Sequence, residues 1–284
     1  RYGLNMKKIM AIFAHPDDEN AVGGTLAHYI DQGDEVVLVC STRGEVGEIS
    51  DPALATPETL GAVRQKELEN ACAVLGIQHL EFLDRRDSGM DGTDENKDPR
   101  AFIQSNADEI KGQIVGLIRK YQPDIIITFE PFGWYGHPDH IFTSKWVTEA
   151  YPMAGDATAY PDKGSAWQPK RLYHAAMKFS HFRDMMQQAI DAGYIEPDTF
   201  NFEIPEEEIL KMEAQITHAV NIDSYYERKQ EAMRSHQTQF GEDSPFSKIP
   251  EEMMKKGWGG EHYIQVYPAP DPTLHENPSS DLFA

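Results

Sequence analysis

Residues 8–19 read Lys8-Ile9-Met10-Ala11-Ile12-Phe13-Ala14-His15-Pro16-Asp17-Asp18-Glu19, a short apolar run that ends abruptly in a histidine, a proline and three acids. The apolar part, 8–14, reads as a first strand, and the polar part as the turn that leaves it. The unit recurs downstream. A helix-like stretch at 23–33 closes on a glycine, and 35–40 is a second apolar run. Leucine, valine and alanine at helical spacing over 58–75 lead to Gly76, then to a short strand at 80–83, a helix at about 107–121 and a clearly buried strand at 124–129. Beyond His140 the pattern predicts a helix to about Ala150, a strand at 172–178, a helix at 181–192, a strand at 216–222 and a helix at 225–237. Strands alternating with helices build a largely parallel sheet, so the expected fold class is α/β, Rossmann-like, with helices on both faces. Residues 42–57, 84–99 and 151–169 read as loops, and 195–210 as an acidic excursion. One domain is expected over 1–284, with 241–284 as a C-terminal covering segment or arm.

The chain has 284 residues, enough for one large core. Lysine and arginine number 26 against 47 acids, a formal charge of −21. Such a chain repels phosphate backbones and anionic lipid surfaces, which argues against nucleic acid and membrane as partners. No apolar run approaches the roughly eighteen residues of a membrane helix, and 6–13 is too short, and too soon followed by charge, for a secretory signal. Two cysteines, Cys40 and Cys72, suggest neither a disulfide framework nor a cysteine metal site and fit a cytoplasmic location.

Ligands of open parallel sheets bind beyond the carboxyl ends of the strands, where the connecting loops converge. His15 to Glu19 follow the first strand, Arg43 to Glu48 the second, Asp84 to Met90 the third, and Glu130 to His140 the strand at 124–129. A catalytic zinc commonly takes three histidine or carboxylate ligands and keeps a position open for water. His15 and Asp18, three residues apart at a strand-to-helix turn, can chelate one ion, and His140 can complete the set. Fe2+ or another divalent ion suits the same donors. Asp17 is then left beside the metal as the base that takes a proton from water. In Gly136-His137-Pro138-Asp139-His140, His137 faces either the developing oxyanion or the leaving amine. Asp139 is expected to hydrogen-bond His137, set its tautomer and favour its charged form. Tyr135 is placed to donate to the substrate carbonyl. Taken alone, the second segment reads equally as a glycine-rich loop with incidental histidines; its pairing with the first decides for a site.

These two segments, supported by Arg64, Arg86-Asp87-Ser88-Gly89-Met90 and Ser235-His236-Gln237-Thr238-Gln239, resemble the LmbE-like or PIG-L metal-dependent deacetylases, which remove acetyl groups from N-acetylglucosamine conjugates. The motifs span most of the chain. The resemblance implies zinc on His15, Asp18 and His140, with Asp17 as general base. It further implies that His137 assists the tetrahedral intermediate and protonates the amine, that Tyr135 polarises the carbonyl, and that Arg64 and Asp87 hold sugar hydroxyls. The partner implied is a small-molecule glycoconjugate, and a homo-oligomer is left open. Residues 166–170, 237–239 and 281–284 are also similar to the mycothiol S-conjugate amidase branch. That branch carries a lysine shortly after the first motif, where this chain has Asn20-Ala21-Val22-Gly23.

Other residues read more plainly. Glu19 is expected just behind the metal ligands, or near the start of the following helix where a carboxylate suits the dipole. Arg43, Glu45 and Glu48 suit a pocket wall or a charged surface loop equally. His236 suits the active site or a subunit neighbour, though on a helix it more commonly faces neither, and His28, His79, His174, His181, His218 and His262 read as structural or exposed. Trp134, Trp167 and Trp258 offer stacking faces but more commonly serve a core. Two other classes compete with a hydrolase. A sugar-binding protein on the same fold would have no use for Asp17, and a nucleotide-binding protein would place a glycine-rich loop, not carboxylates, after the first strand.

Overall fold

A computed structural model describes residues 6–197, 205–241, 248–258 and 260–284. Parts of the expected acidic excursion (198–204) and of the expected C-terminal segment (242–247 and 259) lie outside these residues.

The strands β1 (Lys8–Phe13), β2 (Glu35–Thr42), β3 (His79–Arg85), β4 (Ile125–Phe129) and β5 (Arg171–Ala176) run parallel. Successive side chains of a strand point to opposite faces, and β1 is apolar on both. Ile9, Ala11 and Phe13 meet Leu26 and Tyr29 of α1 (Gly23–Asp31) and Leu68 and Cys72 of α2 (Leu60–Leu75). Met10 and Ile12 meet Ile114 and Ile118 of α3 (Ala107–Tyr121) and Trp146 and Val147 of a long helix, Pro138–Gly155. Helices therefore cover both faces, and each fully buried large apolar side chain contributes about 1.5–3 kcal/mol. Local signals set the ends: the Asn106 side chain accepts from the amides of Asp108 and Glu109 to start α3, and Gly76 closes α2 at φ 86°.

Two further strands, β6 (His218–Asn221) and β7 (Gly260–Tyr267), complete a seven-stranded sheet in the order β3-β2-β1-β4-β5-β7-β6, with β7 antiparallel to both neighbours. The order reverses between β1 and β4, which opens a crevice at their carboxyl ends.

The sequence reading differs most at the C-terminus, where 241–284 was expected to cover the domain and instead supplies β7 inside the sheet. The inward residues of β7 include Glu261 and Gln265 beside Tyr263, so the buried face is polar and its periodicity does not signal a strand. Partners satisfy it: Glu261 accepts from the amides of Gly24 (3.0 Å) and Thr25 (2.7 Å) at the start of α1 and from Lys229 Nζ (2.7 Å). The last residues do lie over the core, with Leu282 fully buried and its amide donating to Tyr29 Oη at 2.7 Å. The excursion contains a helix, α7 (Glu206–Glu213). The remaining helices are α4 (Gly133–Gly136), a single irregular turn, α5 (Pro138–Gly155, introduced above), α6 (Phe179–Asp191), α8 (Tyr226–Arg234) and α9 (Glu251–Trp258). Among the described residues no helix is long and apolar enough to cross a membrane.

Candidate metal and catalytic site

At the end of β1 the chain turns so sharply that Asp17 takes φ 112° and ψ −23°, a left-handed conformation that costs a non-glycine residue about 1–3 kcal/mol. Distant groups hold it there. Arg64 of α2, 3% exposed, donates from Nη2 to the Pro16 carbonyl (2.6 Å) and to Asp17 Oδ2 (3.0 Å), and from Nη1 to the Gly44 carbonyl (3.1 Å). Position 44 has to be glycine, since φ is 64° and a Cβ there would lie 2.1 Å from Arg64 Nη1. From below, Glu19 Oε2 accepts from the Asp17 amide (2.9 Å) while its Oε1 pairs with His236 Nε2 at 2.6 Å; both side chains are essentially unexposed.

The loop after β4 is built by nearer neighbours. The buried Glu130 carboxylate accepts from the amides of Phe132 and Trp134, each at 2.6 Å, and so fixes a turn in which Trp134 takes φ 60°. Trp134 Nε1 donates to the Ala175 carbonyl at 3.0 Å. His137 caps α5, its Nδ1 accepting from the Asp139 amide at 3.1 Å. His140 stacks on Phe129, with ring centroids 4.1 Å apart, and its Nδ1 lies 3.3 Å from the Gly133 carbonyl.

The two segments meet at the crevice. His15 Nδ1 lies 3.1 Å from His140 Nε2, and Asp18 Oδ1 lies 3.2 Å from the same His140 nitrogen. Asp18 Oδ2 is 3.6 Å from His15 Nδ1 and also accepts from the His15 amide at 2.6 Å. The far side of each ring faces an acceptor, Asp139 Oδ2 at 3.1 Å for His15 Nε2 and Gly133 O for His140 Nδ1. Each far nitrogen therefore carries the proton, and two lone pairs are left facing each other across 3.1 Å. That arrangement is repulsive unless a cation or a proton lies between them, so the donors fit a metal ion, and their outer partners are those that orient imidazole ligands. Two other groupings, His15 with His137 and His140, and His15 with Asp87, His137 and Asp139, bring their ligand atoms within 4.8 Å of one another.

The charges reflect the same demand. Burial lowers the pKa of His15, but Asp87, Asp139 and Asp18 together raise it well above the ordinary value. Burial favours the neutral carboxyl of Asp18 and of Asp87, yet His140 and His15 hold Asp18, and His15 holds Asp87, well below the usual carboxylate range. Asp17 differs: burial pushes it up to about 6 in spite of Arg64. His137 is driven down to about 3 by burial and by the neighbouring His15 and His140. Burial and the charges of Asp18, Asp17 and Asp87 push the Tyr135 phenol well above its ordinary value.

His15, Asp17, Asp18, Tyr135, His137, Asp139 and His140 thus gather at one crevice, but one expected pairing changes. The Asp139 carboxylate serves His15 Nε2 and the Ser88 amide (3.0 Å), while His137 is met by the Asp139 backbone and is not held charged. On the first turn of α5 the Asp139 carboxylate meets His15, which follows β1, so its partner is set by the segment packed against it and not by its neighbour in sequence. Arg64 is occupied with Pro16, Asp17 and Gly44, and Asp87 accepts from the Gly89 amide (2.8 Å) with its Oδ1 3.5 Å from His15 Nε2. Glu130 carries no role in the sequence pattern, Glu45 suits a pocket wall or a surface loop equally, and His236 on a helix is more commonly turned to neither site nor neighbour. Glu45 Oε2 in fact accepts from the Asp87 amide at 3.0 Å, and His236 secures Glu19 from 217 residues away. The one available signal was Glu19 itself, an acid that has to find a partner when buried.

Fold and site define a class: an α/β protein with a histidine and aspartate cluster able to hold a metal at the point where the strand order reverses. Residues 10–151 match the family described as PIG-L, GlcNAc-PI de-N-acetylase. The chain is 35% identical to a 1D-myo-inositol 2-acetamido-2-deoxy-alpha-D-glucopyranoside deacetylase of Acidothermus cellulolyticus, over 98% of this chain and 95% of that protein. A deacetylase of the same description from Frankia alni is 33% identical over 95% and 98% of the two chains. The chain belongs to the PIG-L family. Among solved structures, the N,N'-diacetylchitobiose deacetylase of Pyrococcus horikoshii has a TM-score of 0.64 at 21% identity, covering 98% of this chain and 89% of its own. A 4-carboxy-2-hydroxymuconate hydratase of Pseudomonas putida scores 0.62 at 17%, covering 94% and 98%. One fold carries both descriptions, so the reaction has to be argued from the site.

Proposed function

We propose that this chain, acting as one domain in the cytoplasm, is a metal-dependent hydrolase that removes the acetyl group from the amide of a small N-acetylglucosamine-type conjugate. The observation that carries this reading is the approach of His15 Nδ1 to His140 Nε2 at 3.1 Å beside Asp18, with the strained Asp17 next to them. His15 Nδ1, His140 Nε2 and Asp18 would hold the ion, zinc or another divalent metal, since two neutral imidazoles and one carboxylate are a common hydrolytic donor set. We prefer Asp18 to His137 as third ligand because it brings negative charge and already contacts both histidines. When bound, such an ion supplies Lewis acidity to water and to the substrate carbonyl.

The remaining steps belong to the chain. Asp17 takes the proton of the attacking water, and Arg64 keeps its carboxylate aimed at the crevice. His137 accepts the Asp139 amide at Nδ1, so its proton sits on Nε2, where a neutral ring donates a hydrogen bond to the developing oxyanion. Tyr135, 40% exposed at the mouth, adds its hydroxyl. With the His137 Nε2 proton turned to the oxyanion, the amine receives its proton from Asp17, which holds the one taken from water. Asp139 keeps His15 in the tautomer that turns Nδ1 inward. Relatives named for deacetylation of a glucosamine linked to inositol support the substrate class. The test is amine release from N-acetylglucosamine and its inositol conjugate, with metal content measured on the same sample. No release by metal-loaded protein, or equal release by Asp17→Asn, overturns the reading.

A further inference from the structure

The carboxylates of the site open into a second space. A cavity of about 320 Å3 has Asp17, Asp18 and Tyr135 at one end and extends away from the histidines, between the end of β5 and helices α6, α8 and α9. That volume lies within the range of small-molecule sites, about 300–1,000 Å3. Its lining includes Met177, Phe179, Phe182, Met233, Phe240 and Trp258. The Phe182 and Trp258 rings lie nearly parallel, 10° apart, with centroids at 6.0 Å.

Two of the polar residues on this lining, Lys229 and His262, offer a sugar little. Lys229 Nζ is already paired with Glu261 at 2.7 Å, and burial drives His262 down to about 4, so that it is neutral near neutral pH. Lys178 also lines the space, and Asn20 lies beside Asp18 with a buried amide that has no hydrogen-bond partner. A polyol pressed against the six apolar side chains would give up hydrogen bonds to water and regain few, whereas an apolar group would leave water and fill the space.

We propose that the conjugate hydrolysed here carries an aromatic ring or a medium alkyl chain that lies in this cavity while its amide sits at Asp17, Asp18 and Tyr135. This rests on the hydrolase reading above and names the chemistry of its substrate. The apolar group can belong to the acyl side or to the substituent on the sugar, and the experiment separates the two. The metal-loaded enzyme is assayed for amine release on N-acetylglucosamine, on its phenyl and octyl glycosides, and on glucosamine N-acylated with butyryl or benzoyl groups. One of the two arms is expected to exceed N-acetylglucosamine by at least about tenfold in kcat/KM, as a filled apolar pocket commonly provides. Ala176→Phe, which projects a ring into the cavity from the end of β5, brings that ratio close to one. Phenyl glucoside is expected to inhibit the wild-type enzyme competitively at a concentration at least about tenfold below glucose, which tests the cavity without a variant. A flat series in which every member is hydrolysed, together with equal inhibition by the two sugars, overturns the apolar group and leaves the hydrolase standing. No amine from any member overturns both.

Discussion

The two halves of the site do the same job by different means. Each puts one non-glycine residue into left-handed backbone, Asp17 after β1 and Trp134 after β4, and each turns histidine and aspartate toward one crevice. After β4 the strain is held locally, by Glu130 two and four residues away from the amides it accepts. After β1 it is held by Arg64 and His236, 47 and 217 residues away from their partners Asp17 and Glu19. The first turn is therefore only as well placed as the tertiary structure that surrounds it, whereas the backbone of the second is fixed from within and only its side chains, Trp134 on Ala175 and Asp139 on His15, reach distant partners.

The largest expected effect tests what the strained first half is for. Asp17→Asn keeps the shape and the hydrogen bond from Arg64 but removes the base, and kcat should fall about 10²–10⁴-fold with metal content unchanged. Comparable turnover would show that the left-handed turn serves only to place Asp18. The next effect separates the halves by metal affinity. Asp139→Asn, which loosens His15, should weaken metal binding about 10–100-fold in a chelator competition, while His137→Ala should lower kcat and keep the metal. Loss of metal in His137→Ala would make His137 the third ligand in place of Asp18.

A smaller effect measures the long-range contact itself. In a double-mutant cycle, Glu19→Gln and His236→Ala should couple by about 1–3 kcal/mol in unfolding free energy, because the pair is buried and each partner is costly alone. Additive effects would mean that Asp17 is held by Arg64 alone. A last effect lies outside both halves. His174 is buried, with Nε2 3.1 Å from Thr148 Oγ1, and burial lowers its pKa to about 4. An unfolded histidine titrates near 6.5, so below that pH the unfolded chain binds the proton first. This contribution to stability is complete above pH 6.5 and is lost as pH falls toward 4. His174→Gln should flatten the decline of urea midpoints in that window, and an unchanged decline would assign acid sensitivity to other groups.

Legibility followed the same division. The apolar runs of β1, β2 and β4 show through because their buried faces are apolar, and α2 and α3 because they carry helical spacing and clear ends. β7 stayed hidden because Glu261 and Gln265 face inward, and only the start of α1, Lys229 and the Pro268 carbonyl, which accepts from Gln265 Nε2 at 2.8 Å, make that tolerable. Within the site, the candidate donors were readable from residue type and spacing. Their pairing was not, and Asp139 was assigned to His137 when its carboxylate faces His15.

The residues alone determined that strands alternate with helices and that two short segments, at 14–19 and 136–140, bring histidines and aspartates to strand ends. Periodicity and turn chemistry act over a few residues, and those features are local. The tertiary structure decided which nitrogens face each other, what holds Asp17 in its left-handed turn and what lies beyond it. Those depend on β1 and β4 lying side by side and on helices from the second half of the chain closing over them. No spacing along the chain encodes an alignment across 125 residues, the separation of His15 and His140, until the sheet has formed.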